Sequence, residues 1–438
     1  MKLPKYEAYK DSGVEWLGDI PEHWDLVPIR SIFKFRNEKN DPIKTNEVLS
    51  LSIANGVTRY SEERRSGNKR KDDLSAYKIA HSGDIVMNSM NVIVGAVGMS
   101  QYYGAISPVY YALYSDSTDI LISFYEQIFQ NEGFQRGLLK FGKGILIKLS
   151  GRGKLNTIRM KISQNDLKVL YFPKPPKHEQ ITIANFLDKK TAQLDEAIAI
   201  KEQQISLLKE HKQITIQQAV TQGINPDVTM RDSGVDWIGQ IPEHWEVTRF
   251  KNLFSQSRLP VKPDDGVVTS YRDGQVTLRA NRRLSGYTEA IIEGGYQGIR
   301  KNQLVLNSMD AFEGAIGVSD SDGKCTPEYV ICNPKSEGIS QYYFSYLLRE
   351  MALAKYIQVI CNAVRQRAVR IRFNNLASRF MVVPPKKEQD DIVAFIEVKT
   401  KKIDSGLKHL NHQIQKLKEY KTTLINSAVT GKIKIPQN

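Results

Sequence analysis

The sequence predicts an α/β fold: two similar mixed α/β lobes joined by two long helices that form an antiparallel coiled coil, with a pseudo-twofold internal repeat. Three observations lead there. First, the chain is written twice. Asp11-Ser-Gly-Val-Glu-Trp-Leu-Gly-Asp-Ile-Pro-Glu-His-Trp24 returns as Asp232-Ser-Gly-Val-Asp-Trp-Ile-Gly-Gln-Ile-Pro-Glu-His-Trp245. Second, two further blocks repeat in the same order. Ile85-Val-Met-Asn-Ser-Met90 matches Leu304-Val-Leu-Asn-Ser-Met309, and Pro175-Pro176 with Glu179-Gln180 matches Pro384-Pro385 with Glu388-Gln389. Third, an apolar heptad follows each proline pair.

The elements follow in order. In lobe one, Glu47 to Ile53, Asp84 to Met90 and Val109 to Tyr114 read as strands, with turn signals at Asn55-Gly56 and Ser82-Gly83. In lobe two, Val267 to Tyr271 and Leu304 to Met309 read as strands around the turn Asp273-Gly274. Single helical patches are expected from Phe124 to Leu139 and from Gln341 to Ile360. Proline opens each long helix, and Glu179 and Glu388 fall where a first-turn carboxylate suits the helix dipole. Trp24 and Trp245 are expected to anchor their lobes, and Asn88 and Asn307 to serve the scaffold.

The first helix has Leu187, Leu194, Lys201, Leu208 and Thr215 at heptad position a, and Thr191, Ile198, Ile205, Lys212 and Ala219 at d. The second has Ile396, Ile403, Leu410, Leu417 and Leu424 at a, and Thr400, Leu407, Ile414, Lys421 and Ala428 at d. Even the polar interruptions repeat, Thr191 with Thr400 and Lys212 with Lys421. Five heptads exceed what a helix padding its own lobe needs. About 45 residues at 1.5 Å each span roughly 65–70 Å. That is about two turns of duplex DNA, so paired helices could act as a ruler between lobes. The boundaries expected are 1–174 for lobe one, 175–222 for the central helix, 223–383 for lobe two and 384–438 for the C-terminal helix.

Composition limits the function. With 438 residues, 41% hydrophobic and 25% charged, the chain reads as globular, and its net charge of +14 favours a polyanionic partner such as nucleic acid. No apolar run approaches the ~20 residues of a membrane span, and no apolar signal core stands at the N-terminus. The expectation is a cytoplasmic protein with no membrane partner. Cys325, Cys332 and Cys361 lie only in the second half and imply no disulfide framework.

Catalytic signatures fail. Gly137 to Lys143 has phosphate-loop spacing, but Gly144 stands where Ser or Thr should hold magnesium. No Asn-Pro-Pro-Tyr-type motif occurs, since Asn333-Pro334 is followed by Lys335, and no glycine-rich loop for S-adenosylmethionine follows a strand. His409 and His412 lack a third ligand, and Cys325 and Cys332 lack a second pair. No catalytic, cofactor or metal site is therefore expected in this chain.

Basic clusters stand out instead. Arg136, Lys140, Lys143, Lys148, Arg152 and Lys154 form one run, and Arg365, Arg367, Arg370 and Arg372 another. Arg59, Arg64, Arg65, Lys69, Arg70 and Lys71 follow the first strand of lobe one, as Arg272, Arg279, Arg282 and Arg283 do in lobe two. Such residues suit phosphates, while arginine reads guanine and Asn or Gln reads adenine. The candidate DNA-binding residues are Lys143, Arg152, Lys154, Arg365, Arg367 and Arg370 from the two runs, all those named after the first strands, and Asn68, Gln275, Asn281 and Gln366. The copies diverge between about 57 and 76 and between 275 and 295, as readers of two different sequences would.

Together these blocks resemble the DNA-specificity subunit of type I restriction–modification systems. The carriers are Trp16-Leu-Gly-Asp-Ile-Pro-Glu-His-Trp24 and its copy ending at Trp245, Gly83-Asp84-Ile-Val-Met-Asn-Ser-Met90, Pro175-Pro-Lys-His-Glu-Gln180 and Pro384-Pro-Lys-Lys-Glu-Gln389. Lobe two has Asn302-Gln303 in place of Gly83-Asp84, so that turn is expected to differ. The resemblance implies two target-recognition domains, each reading half of a split, asymmetric sequence in double-stranded DNA. It implies spacer helices that set the gap and dock two modification subunits. S-adenosylmethionine, ATP and Mg would belong to those subunits and to restriction subunits, and this chain would be non-catalytic. Two other readings remain: a scaffold that binds no DNA, and a self-contained nuclease or methyltransferase.

Overall fold

The computed structural model describes residues 3–436, except 54, 62–72, 146–147, 150–154, 157–158, 283–294 and 362–369; side chains are also left undescribed through 144–160. The chain forms two compact units. One comprises Met1–Glu202 with His412–Asn438, and the other Gln203–Asn411. Each unit is therefore a lobe with parts of both long helices, Lys177–Gln222 and Lys386–Val429. Among the described residues no helix is long and apolar enough to cross a membrane.

The first unit centres on a four-stranded antiparallel sheet ordered Lys34–Arg36, Tyr110–Tyr114, Ile85–Asn88, Val97–Met99. Alternation along the strand Ile85–Asn88 sorts its side chains to two faces. Ile85 and Met87 join a core with Trp24, Phe124, Tyr125, Phe129 and Phe172. Val86 faces the opposite way, onto Leu49, Leu51 and Val57 of the hairpin Leu49–Ser52/Gly56–Arg59. The helical patch expected from Phe124 to Leu139 is broken in two, Ile122–Phe129 and Glu132–Gly137. The cause is Asn131, whose side chain accepts from Phe134 N and starts a new helix.

The second unit repeats this plan. Its sheet runs Phe254–Ser257, Tyr329–Pro334, Leu304–Asn307, Ile316–Val318, all antiparallel. Leu304 and Leu306 pack with Trp245, Phe254 and Phe344, and Val305 turns to Val268 and Val276. The patch expected from Gln341 to Ile360 is again two helices, Gln341–Leu353 and Tyr356–Ile360, parted at Lys355 with φ of 61°.

The turn expected to differ between the lobes is the same. Gly83 has φ of 89° and Asn302 φ of 67°, and asparagine tolerates this left-handed region better than most residues. Both residues donate to the next strand, Gly83 N to Ser100 O at 2.7 Å and Asn302 N to Ser319 O at 2.8 Å. What changes is the buried group that follows. Asp84 pairs with Arg36 through two bonds of 2.6 and 2.9 Å, and Arg36 lies 4.4 Å from the Tyr114 ring centroid. In lobe two, Gln303 donates to Ser257 Oγ at 3.0 Å and to Asn333 Oδ1 at 2.9 Å. An ion pair has become a neutral network on an unchanged backbone.

The proline-pair motif explains itself through long-range bonds. Glu179 Oε2 accepts from Trp24 Nε1 at 3.0 Å and Tyr6 OH at 2.7 Å, and His23 Nε2 lies 2.5 Å from Oε1. Glu388 likewise takes Trp245 Nε1 at 3.1 Å and His244 Nε2 at 2.8 Å. The buried Gln180 donates to Asp119 O and Pro175 O and accepts from Leu121 N. Gln389 donates to Gly338 O and Pro384 O and accepts from Ser340 N. Each helix start is thus tied to its own lobe by the residues that the repeat shares.

Inside each unit the long helices run antiparallel. In the first, Lys421 bonds Asp195 at 2.6 Å and Lys201 bonds Gln413 at 2.6 Å. In the second, Lys212 bonds Asp404 at 2.7 Å, and a Cβ on Gly406 would stand 3.9 Å from Leu208. The heptad series is the protected face. Leu187, Ile198, Ile396, Ile414 and Leu424 are buried, and Leu194, Ile205, Leu208, Ile403, Leu407, Leu410 and Leu417 are partly covered. The lysines that interrupt the seam are not unpaired: Lys212 and Lys421 each reach an aspartate on the other helix. Such part-exposed pairs add at most about 1 kcal/mol, so they align the helices more than they hold them.

Glu350 links lobe two to the first long helix. Gln213 Nε2 donates to both its oxygens at 2.7 Å. Burial pushes its carboxyl up to about 7, against the opposing pull of Gln213 and Arg349. Unfolded glutamate titrates near ~4.3. Between these values the folded chain keeps a proton that the unfolded chain has lost, so stability falls as pH rises through the window. Glu350→Gln is expected to flatten this slope and to stabilise the unit above about pH 7 by up to about 3 kcal/mol. Urea unfolding at acidic and alkaline pH checks it; parallel pH dependence in both proteins would refute it.

Candidate nucleic-acid interface

In each lobe the Asn-Ser-Met turn ends a central strand and gathers the chain around it. Met90 N donates to Asn88 Oδ1 at 3.0 Å, and Met309 N to Asn307 Oδ1 at 3.2 Å, so both asparagines shape the turn. Ile162 N then donates to Ser89 O, and Ile371 N to Ser308 O. These bonds bring the residues just before Ile162 and Ile371, Lys161 and Arg370, to the same turn.

Lobe two shows the arrangement best. Thr269, Ser270, Tyr271, Arg272, Asp273, Arg282, Asn307 and Asp310 line a cleft of about 430 Å³. Arg272 pairs with Asp310 at 3.0 Å and with Glu313. Arg282 bonds Asp273 at 2.8 Å and lies 4.1 Å from the Tyr271 ring centroid. Arg279 Nε donates to Thr269 Oγ1 at 3.3 Å, and Asn281 Nδ2 to Thr277 Oγ1 at 2.8 Å. Gln275 N donates to Asp273 Oδ1. Exposed Arg370 stands beside Ile371. The acids hold the guanidinium groups in fixed directions without burying them.

In lobe one, Arg59 lies 3.8 Å from Glu47 and 5.1 Å from the Tyr102 ring centroid. Lys143 is exposed, opposite Lys161 in the pair Lys143–Ile145/Arg159–Lys161. Arg136 and Lys140 face Glu132 and Glu15. The candidates Arg64, Arg65, Asn68, Lys69, Arg70, Lys71, Arg152, Lys154, Arg283, Arg365, Gln366 and Arg367 lie outside the described residues.

Equivalent hairpin positions carry different chemistry. Tyr60 N donates to Val48 O, and Arg279 N to Val267 O, which places Tyr60 opposite Arg279 in the repeat. The same alignment sets Ile53, 60% exposed, against Arg272, and Arg59 against Leu278. The phosphate-loop-like segment has the wrong order for nucleotide binding: the helix Glu132–Gly137 precedes the strand starting at Lys143.

No family model matches the chain. Over 297 residues it is 24% identical to the type I restriction enzyme EcoBI specificity subunit of Escherichia coli, covering 62% of this chain and 60% of that one. The chain thus spans less than two thirds of that relative. It is 22% identical, over 99% of both chains, to a putative type I restriction enzyme MjaX specificity subunit of Methanocaldococcus jannaschii. Among solved structures, one concerned with complex assembly and conformational transition of the type I R-M system superposes with a TM-score of 0.67. It is 11% identical and covers 94% of this chain and 98% of that one. The HsdS subunit from Thermoanaerobacter tengcongensis gives 0.52 at 13% identity, with the same coverage. The resemblance read from the sequence therefore stands, and the mixed α/β fold with two long helices is shared.

Proposed function

We infer that this chain is the DNA-specificity subunit of a type I restriction–modification complex, each lobe reading one half of a bipartite, asymmetric site in double-stranded DNA. One observation carries the reading: the two lobes share their backbone around the Asn-Ser-Met turn but present different side chains there. A shared scaffold with unlike readers recognises two unlike half-sites. Arg272 and Arg282, held by carboxylates, suit directed contacts to base edges or phosphates.

The helices set the distance between half-sites and dock two modification subunits. Leu207 and Ile214, one heptad apart on the first helix, remain 56% and 42% exposed, a stripe that a partner helix could cover. The chain itself performs no catalysis. S-adenosylmethionine belongs to the modification subunits, and ATP with Mg to restriction subunits. Such a complex works in the cytoplasm, where its DNA is.

Footprinting the assembled methylase on its site tests this reading. Two separate protected patches are expected. Deleting seven residues from one long helix keeps the heptad phase and shortens it by about 10 Å. The gap between half-sites should change by about three base pairs while the half-sites persist. One continuous patch, or altered half-sites, would refute the assignment; a scaffold that binds no DNA would leave none.

A further inference from the structure

An internal repeat is its own control. At equivalent positions one copy reports what the fold requires, and the other reports what has been added. The strand Lys78–Ala80 pairs with Gly104–Ile106 in the register by which Gln297–Ile299 pairs with Gly323–Cys325. Gln297 Nε2 donates to Tyr329 O at 2.8 Å. Lys78 Nζ donates to Tyr110 O at 3.0 Å. Tyr110 and Tyr329 are themselves equivalent, facing Asn88 and Asn307. The fold needs one donor to this carbonyl, and a neutral amide supplies it in lobe two. The positive charge of Lys78 is additional.

Among the described residues no carboxylate neutralises that charge. Lys78 Nζ lies 5.3 Å from the Tyr111 ring centroid. Tyr111 OH donates to Ile162 O at 3.1 Å, next to Lys161. Lys161 in turn faces Lys143 across an antiparallel pair, where like charges are unfavourable. Neither Lys78 nor Lys161 has a carboxylate partner among the described residues. Asp166 feels Lys143, but its carboxylate is engaged by Ser163 Oγ at 2.5 Å. Burial, and then the Lys161 charge, draw the Lys78 ammonium below its ordinary range. Cations collected without a counter-charge await an anion, and an ammonium with three donors suits a phosphate oxygen.

We propose that Lys78 and Lys161 form a phosphate-binding site for the DNA backbone on lobe one, in which Lys78 makes a contact that Gln297 denies to lobe two. This rests on the DNA-reading function. Lys161 has a basic counterpart in Arg370, so the asymmetry lies at Lys78. Lobe one then grips one more backbone phosphate than lobe two.

The test is the salt dependence of full-length chain binding to a labelled random-sequence duplex. Each phosphate contact adds about 0.9 to the slope of log K against log salt. Lys78→Gln, which installs the residue of lobe two and keeps a donor to Tyr110 O, should leave the thermal midpoint unchanged and lower the slope by about 0.9. Adding Lys161→Gln should bring the loss to about 1.8. The reciprocal Gln297→Lys should raise the slope of the wild type by about 0.9. Steep wild-type binding with an unchanged slope in Lys78→Gln overturns the proposal and leaves the DNA reading intact. A marked fall in thermal midpoint in Lys78→Gln also overturns it, because the charge then serves the fold. Absence of salt-dependent binding by the wild type refutes the DNA reading and this site with it.

Discussion

Trp24→Ala is expected to destabilise the first unit by about 3–5 kcal/mol. Trp24 is fully buried. Its ring meets Tyr6 edge-on at 5.8 Å, and its indole N–H donates to Glu179 Oε2. A Cβ added at Gly431 would come within 3.0 Å of its Cζ3, so the turn after the second long helix also closes on it. One side chain therefore joins the N-terminal segment, the start of one long helix and the end of the other. Truncation removes a large apolar surface, leaves a cavity and takes a donor from a half-buried carboxylate. Urea unfolding followed by tryptophan-independent far-UV signal measures the loss in the transition of this unit. A cost below about 1 kcal/mol, the size of an ordinary substitution, would show that the ring is not the clamp described. Trp245→Ala should act alike on the second unit, where Trp245 meets Tyr343 and Glu388.

Asp84→Ala is the second large effect, a loss of about 3–5 kcal/mol. Asp84 is 2% exposed and is the ion-pair partner of Arg36, whose side chain is 20% exposed. It also accepts from His81 N at 2.9 Å, shaping the turn before the strand. Removing it leaves a largely buried guanidinium without its counter-charge. Lobe two predicts the remedy. Carrying its residues over as Arg36→Ser, Asp84→Gln and Tyr114→Asn reproduces the trio Ser257, Gln303 and Asn333 on an equivalent backbone. The triple variant should recover most of the loss in the same unfolding measurement. If it is no more stable than Asp84→Ala, the two networks are not interchangeable and the equivalence of the two turns fails.

Those two sites show where reading the sequence succeeds and where it stops. The duplicated tryptophan block, the Asn-Ser-Met strand and the proline pairs were visible as repeats, and each proved to hold a scaffold contact. The heptad was equally legible, because a period of 3.5 residues is a local pattern that survives without knowledge of the fold. The helical patches were visible but not their breaks, since the Asn131 cap and the left-handed Lys355 depend on how the next segment packs. From its residues alone the Asn302-Gln303 turn is expected to differ from Gly83-Asp84. Its backbone is the same, since asparagine can take the left-handed position that glycine takes in lobe one.

At the candidate interface, charge runs name residues but not their partners. Arg272 and Arg282 are bound to Asp310, Glu313 and Asp273, and nothing in spacing alone pairs them. Lys78 lies outside any basic run, and only the pairing of its strand sets it at the position of Gln297.

By itself, the sequence determined that this protein is two copies of one lobe-and-helix plan, with an apolar stripe on each helix and a net charge of +14. Tertiary structure alone decided that Glu179 and Glu388 grip the tryptophans, that a buried ion pair in one lobe is a neutral network in the other, and that Lys78 meets no carboxylate among the described residues. The physical reason is range. Periodicity and repetition are written between near neighbours or as whole copied blocks, whereas the bonds to Glu179 and Glu388 join residues 155 and 143 positions away that only folding brings to 3.0 and 3.1 Å.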